Sequence, residues 1–103
     1  MRLKYSLLFS DEANYDIIDA FLWYEEARSG LGKDFELCLE AEINRISRNP
    51  LQYPIQYKKI RIAYIERFPY GIHFLMEKTF IKVIAVFHTS RNPTNWEERL
   101  SNR

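Results

Sequence analysis

The sequence predicts a single α+β domain of order β-α-α-β-β-β, in which a small, mostly antiparallel sheet packs on an antiparallel helical hairpin. Three features indicate this fold. The chain opens with apolar residues at every second position and continues with two segments in which apolar residues recur at helical spacing. It ends with three short, largely apolar segments. Its 103 residues suffice for one domain, taken as 1–103, and the 47% hydrophobic fraction is ample for a core.

The first strand and the first helix follow from the opening pattern. Every second residue from Leu3 to Phe9 is apolar, which indicates a strand. Ser10 is suited to cap a helix whose first turn holds Asp11 and Glu12, because carboxylates there complement the helix dipole. The apolar face of this helix consists of Ala13, Ile17, Ala20, Phe21 and Tyr24.

A glycine-containing turn from Ser29 to Gly32 separates the first helix from a second one. The second helix carries an apolar stripe with one polar member, Glu42, and ends near Asn49-Pro50. Two helices joined by so short a turn predict an antiparallel hairpin. The stripe consists of Leu31, Phe35, Cys38, Leu39, Glu42, Ile43 and Ile46.

Three strands are predicted after a loop at residues 51–54, at about 60–64, 72–76 and 81–87. The last is almost wholly apolar, which is typical of a strand buried on both faces. Short turns predict an antiparallel meander, whose sheet the first strand must also join. Asn92-Pro93 ends the last strand, and Thr94 is placed to cap a short final helix. The predicted core includes Phe21, Phe35, Leu39, Ile43, Val83 and Ala85.

The charges are unevenly distributed, although the net charge of +1 by itself gives no argument for nucleic-acid binding. Seven acidic residues lie between Asp11 and Asp34, and a basic set lies in the second half of the chain. A single cysteine, Cys38, excludes an internal disulfide and fits a reducing cytosol. We find no signal peptide and no apolar run of membrane-spanning length, so a cytoplasmic protein without a membrane partner is expected.

Three stretches of sequence, taken with this order of elements, carry a family resemblance. The first is the hairpin from Asp16 through Trp23-Tyr24 to Phe35, and the second is Asn49-Pro50 with Tyr53-Pro54. The third contains Arg61, Arg67-Phe68-Pro69-Tyr70, and Ile84 to His88 with Arg91-Asn92-Pro93 and Trp96. Together they resemble the RelE/ParE superfamily of toxins from bacterial type II toxin–antitoxin (plasmid stabilisation) systems, over nearly the whole chain. The resemblance implies a growth-arresting toxin, a cognate antitoxin that neutralises it, and a compact sheet with a basic concave face.

The superfamily divides by target, so the resemblance leaves three functions open. ParE-like members poison DNA gyrase, whereas RelE-like members cut messenger RNA on the ribosome. The long helical hairpin favours the ParE-like branch, and Gly71 stands where RelE-like members commonly carry an arginine. The third interpretation is an inactive relic, or a plain binding module of the same fold.

For a ribonuclease, the candidate catalytic residues are Arg61, Arg67, His88 and Arg91. Cleavage through the 2′-hydroxyl needs a proton acceptor, a proton donor and cations around the phosphorane. Histidine titrates near neutrality, and guanidinium groups suit phosphate geometry, so these four residues are expected to converge on one face of the sheet. No metal-ligand spacing occurs, and neither a metal nor a cofactor is expected.

Each candidate also has a structural interpretation. His88 can cap the end of the sheet by bonding to backbone, and the arginines, Arg99 included, can be ordinary solvated charges. Two further groups are interpreted as surface only: the acidic residues Asp16, Asp19 and Glu25, and the lone His73.

The antitoxin is expected to be a segment that is disordered alone and folds on the toxin. The apolar residues that fall off the core stripes are candidates for its docking strip, namely Leu8, Ile18 and Leu22. An acidic segment near Tyr53, Tyr57 and Tyr64 would also neutralise Lys58, Lys59 and Arg61. The alternative is that Ile18 and Leu22 pack inside, and that the tyrosines only cover the core.

Overall fold

The computed structural model describes residues 4–91 and 96–101, so the interpretations of Leu3, Asn92, Pro93 and Thr94 lie outside the described residues. None of the helices in these ranges combines the length and hydropathy of a membrane span. The elements are β1 (Ser6–Phe9), α1 (Asp11–Ala27), α2 (Leu31–Arg48), a 3-10 turn (Pro50–Gln52), β2 (Ile55–Tyr57), β3 (Ile60–Tyr64), β4 (Tyr70–Met76), β5 (Phe80–His88) and α3 (Trp96–Ser101).

The strands form one sheet of order β1-β5-β4-β3-β2. β1 runs parallel to β5, and the other neighbouring pairs are antiparallel. This confirms the α+β fold with its meander and helical hairpin. β2 is an additional strand at the sheet edge, and its three residues are all exposed. So short a segment shows no readable period, which is why the sequence did not predict it.

Side-chain caps and close backbone contacts fix the two ends of α1. The Ser10 hydroxyl accepts a hydrogen bond from the Ala13 N–H at 3.1 Å, which confirms the predicted N-cap. At the other end, the Glu25 carboxylate accepts the N–H groups of Gly30 and Gly32, both at 3.0 Å. A Cβ at Gly32 would lie 2.8 Å from the Phe21 carbonyl oxygen, so glycine allows the two helices to approach closely.

The sheet buries apolar residues on both faces. The hairpin-side core contains Phe35, Leu39 and Val83, whereas Ala85 belongs to a second core on the opposite face, with Trp96 of α3. A bulge causes this change of face, because His73 pairs with Ala85 and Phe74 pairs with Val83, leaving Ile84 as an extra residue. The predicted core is therefore divided between two faces. Its two remaining members, Phe21 and Ile43, are only half-buried.

Glu42, the polar member of the α2 stripe, is buried and fully engaged. Its carboxylate accepts a hydrogen bond from the Tyr53 hydroxyl at 2.6 Å and ion-pairs with Arg45 at 2.8 Å. Burial, with the hydrogen bond to Glu42, raises the pKa of Tyr53. Tyr53 therefore connects the end of the 3-10 turn to α2, because its hydroxyl donates to Glu42.

A side-chain pair completes the edge of β5 beyond the end of β1. The last register pair of β1 is Phe9 with Val83, so the following residues of β5 have no strand on that side. Asp16 accepts the Val86 N–H at 3.0 Å, and Arg99 donates to the Ile84 carbonyl at 2.9 Å. Asp16 and Arg99 also pair with each other, at 2.7 and 3.3 Å. The interpretation of both residues as solvated surface charges is therefore wrong.

Candidate functional site

The clearest candidate site lies where β4 begins and β5 ends. Tyr70 and His88 are opposite each other in the sheet register, and their rings meet edge to face at 5.3 Å. A tight turn follows, in which the Arg91 N–H bonds to the His88 carbonyl at 3.0 Å. The turn therefore holds His88 and Arg91 at a fixed spacing at one end of the sheet.

Hydrogen bonds determine the tautomer of His88. The backbone N–H of Ser90 donates to His88 Nδ1 at 3.0 Å, and the Ser90 hydroxyl lies 2.8 Å from the same atom. Because a backbone N–H can only donate, Nδ1 must be an acceptor, and the neutral ring carries its proton on Nε2. The structural interpretation of His88, a bond to backbone at the sheet end, is confirmed.

Arg91 is exposed, but its guanidinium is positioned by an aromatic ring. The group lies over the Phe87 ring at 4.1 Å from the centroid, and Phe87 itself is buried. Such a cation–π contact orders the cation while leaving its N–H groups available. Arg99 lies over the same ring at 4.7 Å, but its donors are occupied by Asp16 and the Ile84 carbonyl.

His88 and Arg91 line two clefts, which we call the larger cleft and the smaller cleft. The larger cleft, of about 240 Å³, lies between α1 and the sheet and is also lined by Asp16, Asp19, Ala20, Trp23, Tyr70 and Val86. The smaller cleft, of about 130 Å³, lies on the other face of the sheet and is also lined by Ile62, Tyr64, Gly71, His73, Phe87 and Thr89. The His88–Arg91 turn thus forms the ridge between two openings of different character.

The structure does not bring Arg61 and Arg67 to this ridge. Arg61 pairs with Phe74 in the register, four residues along β4 from Tyr70, or roughly 13 Å at the rise of a strand. Its guanidinium donates to the Tyr53 carbonyl. Arg67 lies in the β3–β4 turn, 3.9 Å from Asp34 of α2. The expected convergence of the four basic residues is therefore corrected: only His88 and Arg91 come together.

His73 is a polar core residue that the sequence interpretation wrongly placed on the surface. It is buried, and its Nδ1 accepts a hydrogen bond from the Trp96 indole N–H at 2.8 Å. Burial, together with the nearby Arg99 charge, lowers the pKa of His73 to about 4, so the ring is neutral at pH 7. Leu75 lies two residues further along the strand and so faces the same side of the sheet as His73. Because Leu75 is apolar, the sequence did indicate that this side is covered.

No metal site is indicated in the described ranges, where no three His, Cys, Asp or Glu side chains are grouped as ligands.

A family model described as the ParE toxin of the type II toxin–antitoxin system parDE matches residues 7–93. The chain belongs to the ParE toxin family. It is therefore the toxin component of a type II toxin–antitoxin system, and its counterpart is a cognate antitoxin.

Two comparisons with individual proteins agree with the ParE family. Toxin ParE2 of Mycobacterium tuberculosis, from strains CDC 1551 / Oshkosh and ATCC 25618 / H37Rv, is 27% identical over 89 residues, covering 85% of each chain. A solved structure of the chromosomal ParDE TA system from P. aeruginosa superposes with a TM-score of 0.75 at 14% identity. That match covers 84% of this chain and 98% of the other, and it shows a shared fold. The resemblance to the RelE/ParE superfamily is thus confirmed, on its ParE side.

Proposed function

We propose that this ParE-family toxin arrests bacterial growth by inhibiting DNA gyrase in the cytoplasm. The observation that carries the proposal is the match to ParE toxins over residues 7–93, since the ParE-like branch of the superfamily acts on gyrase. The long hairpin formed by α1 and α2 and the glycine at position 71 agree with that branch.

The separation of the basic residues argues against the ribonuclease alternative. Cutting RNA at a phosphate requires the proton-transfer group and the stabilising cations to surround the same phosphorus atom. Arg61 is bonded to the Tyr53 carbonyl and Arg67 lies near Asp34, and neither of them lines a cleft with His88. One histidine with one arginine provides fewer of the required groups than the four-residue set expected from the sequence.

We expect the purified toxin to inhibit the supercoiling of relaxed plasmid by the gyrase holoenzyme, and inducible expression to arrest growth. Adding an excess of the cognate antitoxin should restore supercoiling, because a neutralised toxin cannot reach its target. Messenger RNA from induced cells, mapped for new 5′ ends at ribosome-bound positions, serves as the control for the other target. New cleavage sites with unaffected supercoiling would refute the gyrase proposal, and normal growth with neither effect would indicate a relic.

The outer surface of the hairpin is the docking site that we propose for the antitoxin. Ile18 and Leu22 are 50% and 53% exposed, so they do not pack inside as the alternative required. Beside them, a mainly apolar hollow of about 210 Å³ is lined by Ile17, Ile18, Phe21, Phe35 and Glu36. Leu8 is exposed too, but it lies outside this surface, because its neighbours Leu7 and Phe9 are the β1 residues that face the hairpin. An exposed apolar strip such as that of Ile18, Leu22 and the adjoining hollow is typical of a protein–protein interface.

Leu22→Glu should weaken binding of the cognate antitoxin by about tenfold or more, because docking would bury an unpaired carboxylate. Titration calorimetry with the purified antitoxin measures the change. Leu51→Glu, the same substitution at an exposed leucine in the 3-10 turn, is the matched control and should bind normally. Equal affinities for Leu22→Glu and the wild type would exclude the strip as the docking site.

A further inference from the structure

The smaller cleft is shaped like a pocket for a single side chain. Its floor is apolar, with Ile62 and the buried Phe87, and its rim carries the polar groups of Tyr64, Thr89 and Arg91. The volume of about 130 Å³ is far below that of a typical small-molecule site. It suits one protruding residue of another molecule better than a separate ligand.

Gly71 determines how closely the side chains that line this cleft can pack. A Cβ on Gly71 would lie 2.9 Å from Ile62 Cγ2 and 3.3 Å from two atoms of the Tyr64 ring. Ile62 and Tyr64 therefore already cover position 71, and a side chain there would push both of them out of place. Glycine lets these two side chains of the cleft lining pack directly on the backbone of β4.

The charge of the smaller cleft comes from Arg91. Its lining contains no carboxylate, and among the described residues Arg91 forms no ion pair with an acidic side chain. His73, at the base of the cleft, is neutral at pH 7 and is engaged with Trp96. His88 also lines the cleft, and Nε2 is its remaining ring donor because Nδ1 accepts the Ser90 N–H. The cleft therefore offers one ordered cation and N–H donors above an apolar floor.

From these features we infer that the smaller cleft binds one acidic side chain of the target protein, with the Arg91 guanidinium as its counter-ion. This inference rests on the proposed function, in which the target is a protein, DNA gyrase. An arginine with unoccupied donors suits a carboxylate, because the planar fork matches its two oxygens. The tyrosine and arginine at the rim are also residue types enriched at the centres of protein interfaces.

The arrangement fits a protein side chain better than a nucleic-acid backbone. Binding a polyanion requires several cations along a track, since the affinity arises from contacts with successive phosphates. Arg99 lies over the same Phe87 ring, but it is bonded to Asp16 and the Ile84 carbonyl. The other basic candidates are also directed elsewhere, Arg61 to the Tyr53 carbonyl and Arg67 towards Asp34. A single cation in a pocket matches a single carboxylate.

Two variants test the pocket by different means. Arg91→Gln removes the charge from an exposed side chain, whereas Gly71→Ala displaces Ile62 and Tyr64 in the cleft lining and keeps every charge. Each should weaken binding of the toxin to the gyrase holoenzyme by about tenfold or more, as expected when one partner of a desolvated charge pair is removed or blocked. The measurements are binding by biolayer interferometry at two salt concentrations and inhibition of supercoiling. The affinity of Arg91→Gln should depend less on salt than that of the wild type.

Arg28→Gln, with the same change of charge at the end of α1, is the matched control and should bind gyrase like the wild type. Melting temperature and antitoxin affinity show that each variant is folded. Should Gly71→Ala fail to fold, Arg91→Gln alone decides the result. Wild-type gyrase binding by a folded Arg91→Gln overturns the inference.

Failure of the proposed function gives a different pattern. If the wild type arrests growth without binding gyrase, the gyrase proposal fails, and the pocket is then judged by the toxicity of the two variants. Lost toxicity with retained antitoxin binding supports a pocket for another protein target. Retained toxicity, or cleavage of messenger RNA that depends on Arg91, overturns the assignment to an acidic protein side chain.

Discussion

Phe35→Ala is expected to lower the free energy of unfolding by about 3–5 kcal/mol, because it empties the centre of the hairpin-side core. Phe35 is fully buried, and its ring lies 5.3–5.6 Å from those of Tyr24, Phe68 and Tyr70. These three rings belong to α1, to the turn between β3 and β4, and to β4, so the truncation leaves a cavity where separate elements meet. A small domain has about 5–15 kcal/mol of stability in all, so urea unfolding at 25 °C should detect the loss easily.

Leu37→Ala is the matched control for this substitution. Leu37 lies two residues further along α2 but is about half exposed, so its truncation should change the stability by no more than about 0.5 kcal/mol. Helix propensity favours alanine over both residues, and more strongly over phenylalanine, so it cannot cause a loss at Phe35 and burial is the difference. Equal unfolding midpoints for Phe35→Ala and the wild type would show that the α2 stripe does not face the sheet.

Asp16→Asn should destabilise the protein by about 3–5 kcal/mol, because it leaves the Arg99 guanidinium buried without a counter-ion. The side chains of Arg99 and Asp16 are only 12% and 10% exposed, and they are 2.7 Å apart. Asparagine keeps the shape of the carboxylate and one oxygen that can accept the Val86 N–H. The loss, measured by urea unfolding, therefore reports the missing charge.

An exposed ion pair provides the comparison. Lys33 and Glu36 are 3.2 Å apart with side chains 66% and 49% exposed, and Glu36→Gln should cost at most about 1 kcal/mol. The double variant Asp16→Asn with Arg99→Met should be less destabilised than the sum of the two single variants, because neither charge is then left buried alone. Strict additivity would show that the two side chains do not act as a pair.

Local sequence pattern was sufficient for most of the elements. Ser10 is an N-cap in both the sequence interpretation and the structure, and Gly30 stands in the turn with a positive φ of 90°. These features depend on neighbours within a few residues, so they can be read from the chain directly. β2 was missed because its three residues form a strand only by lying beside β3.

The candidate site was predicted in part, for a reason that lies in the sheet. The apolar run from Ile81 to Phe87 correctly placed His88 at the end of β5, and the turn that follows brings Arg91 beside it. The alternation of side chains shows which residues of one strand share a face. It does not show which face of the sheet the side chains of another strand will occupy. Arg61 belongs to the face under the hairpin, where the Tyr53 carbonyl binds it.

The sequence by itself determined the hairpin, the meander and the membership of a toxin family, because periodicity, turn residues and short motifs are local. Only the tertiary structure decided the roles of Asp16, His73 and Arg99. Asp16 and Arg99 are 83 positions apart, and they meet because β1 ends before β5 does. A bulge at Ile84 moves Ala85 to the opposite core, since one extra residue reverses the alternation of side chains. Long-range pairing and register, which no local window contains, therefore decided which polar residues were buried and which charge remained available at the ridge.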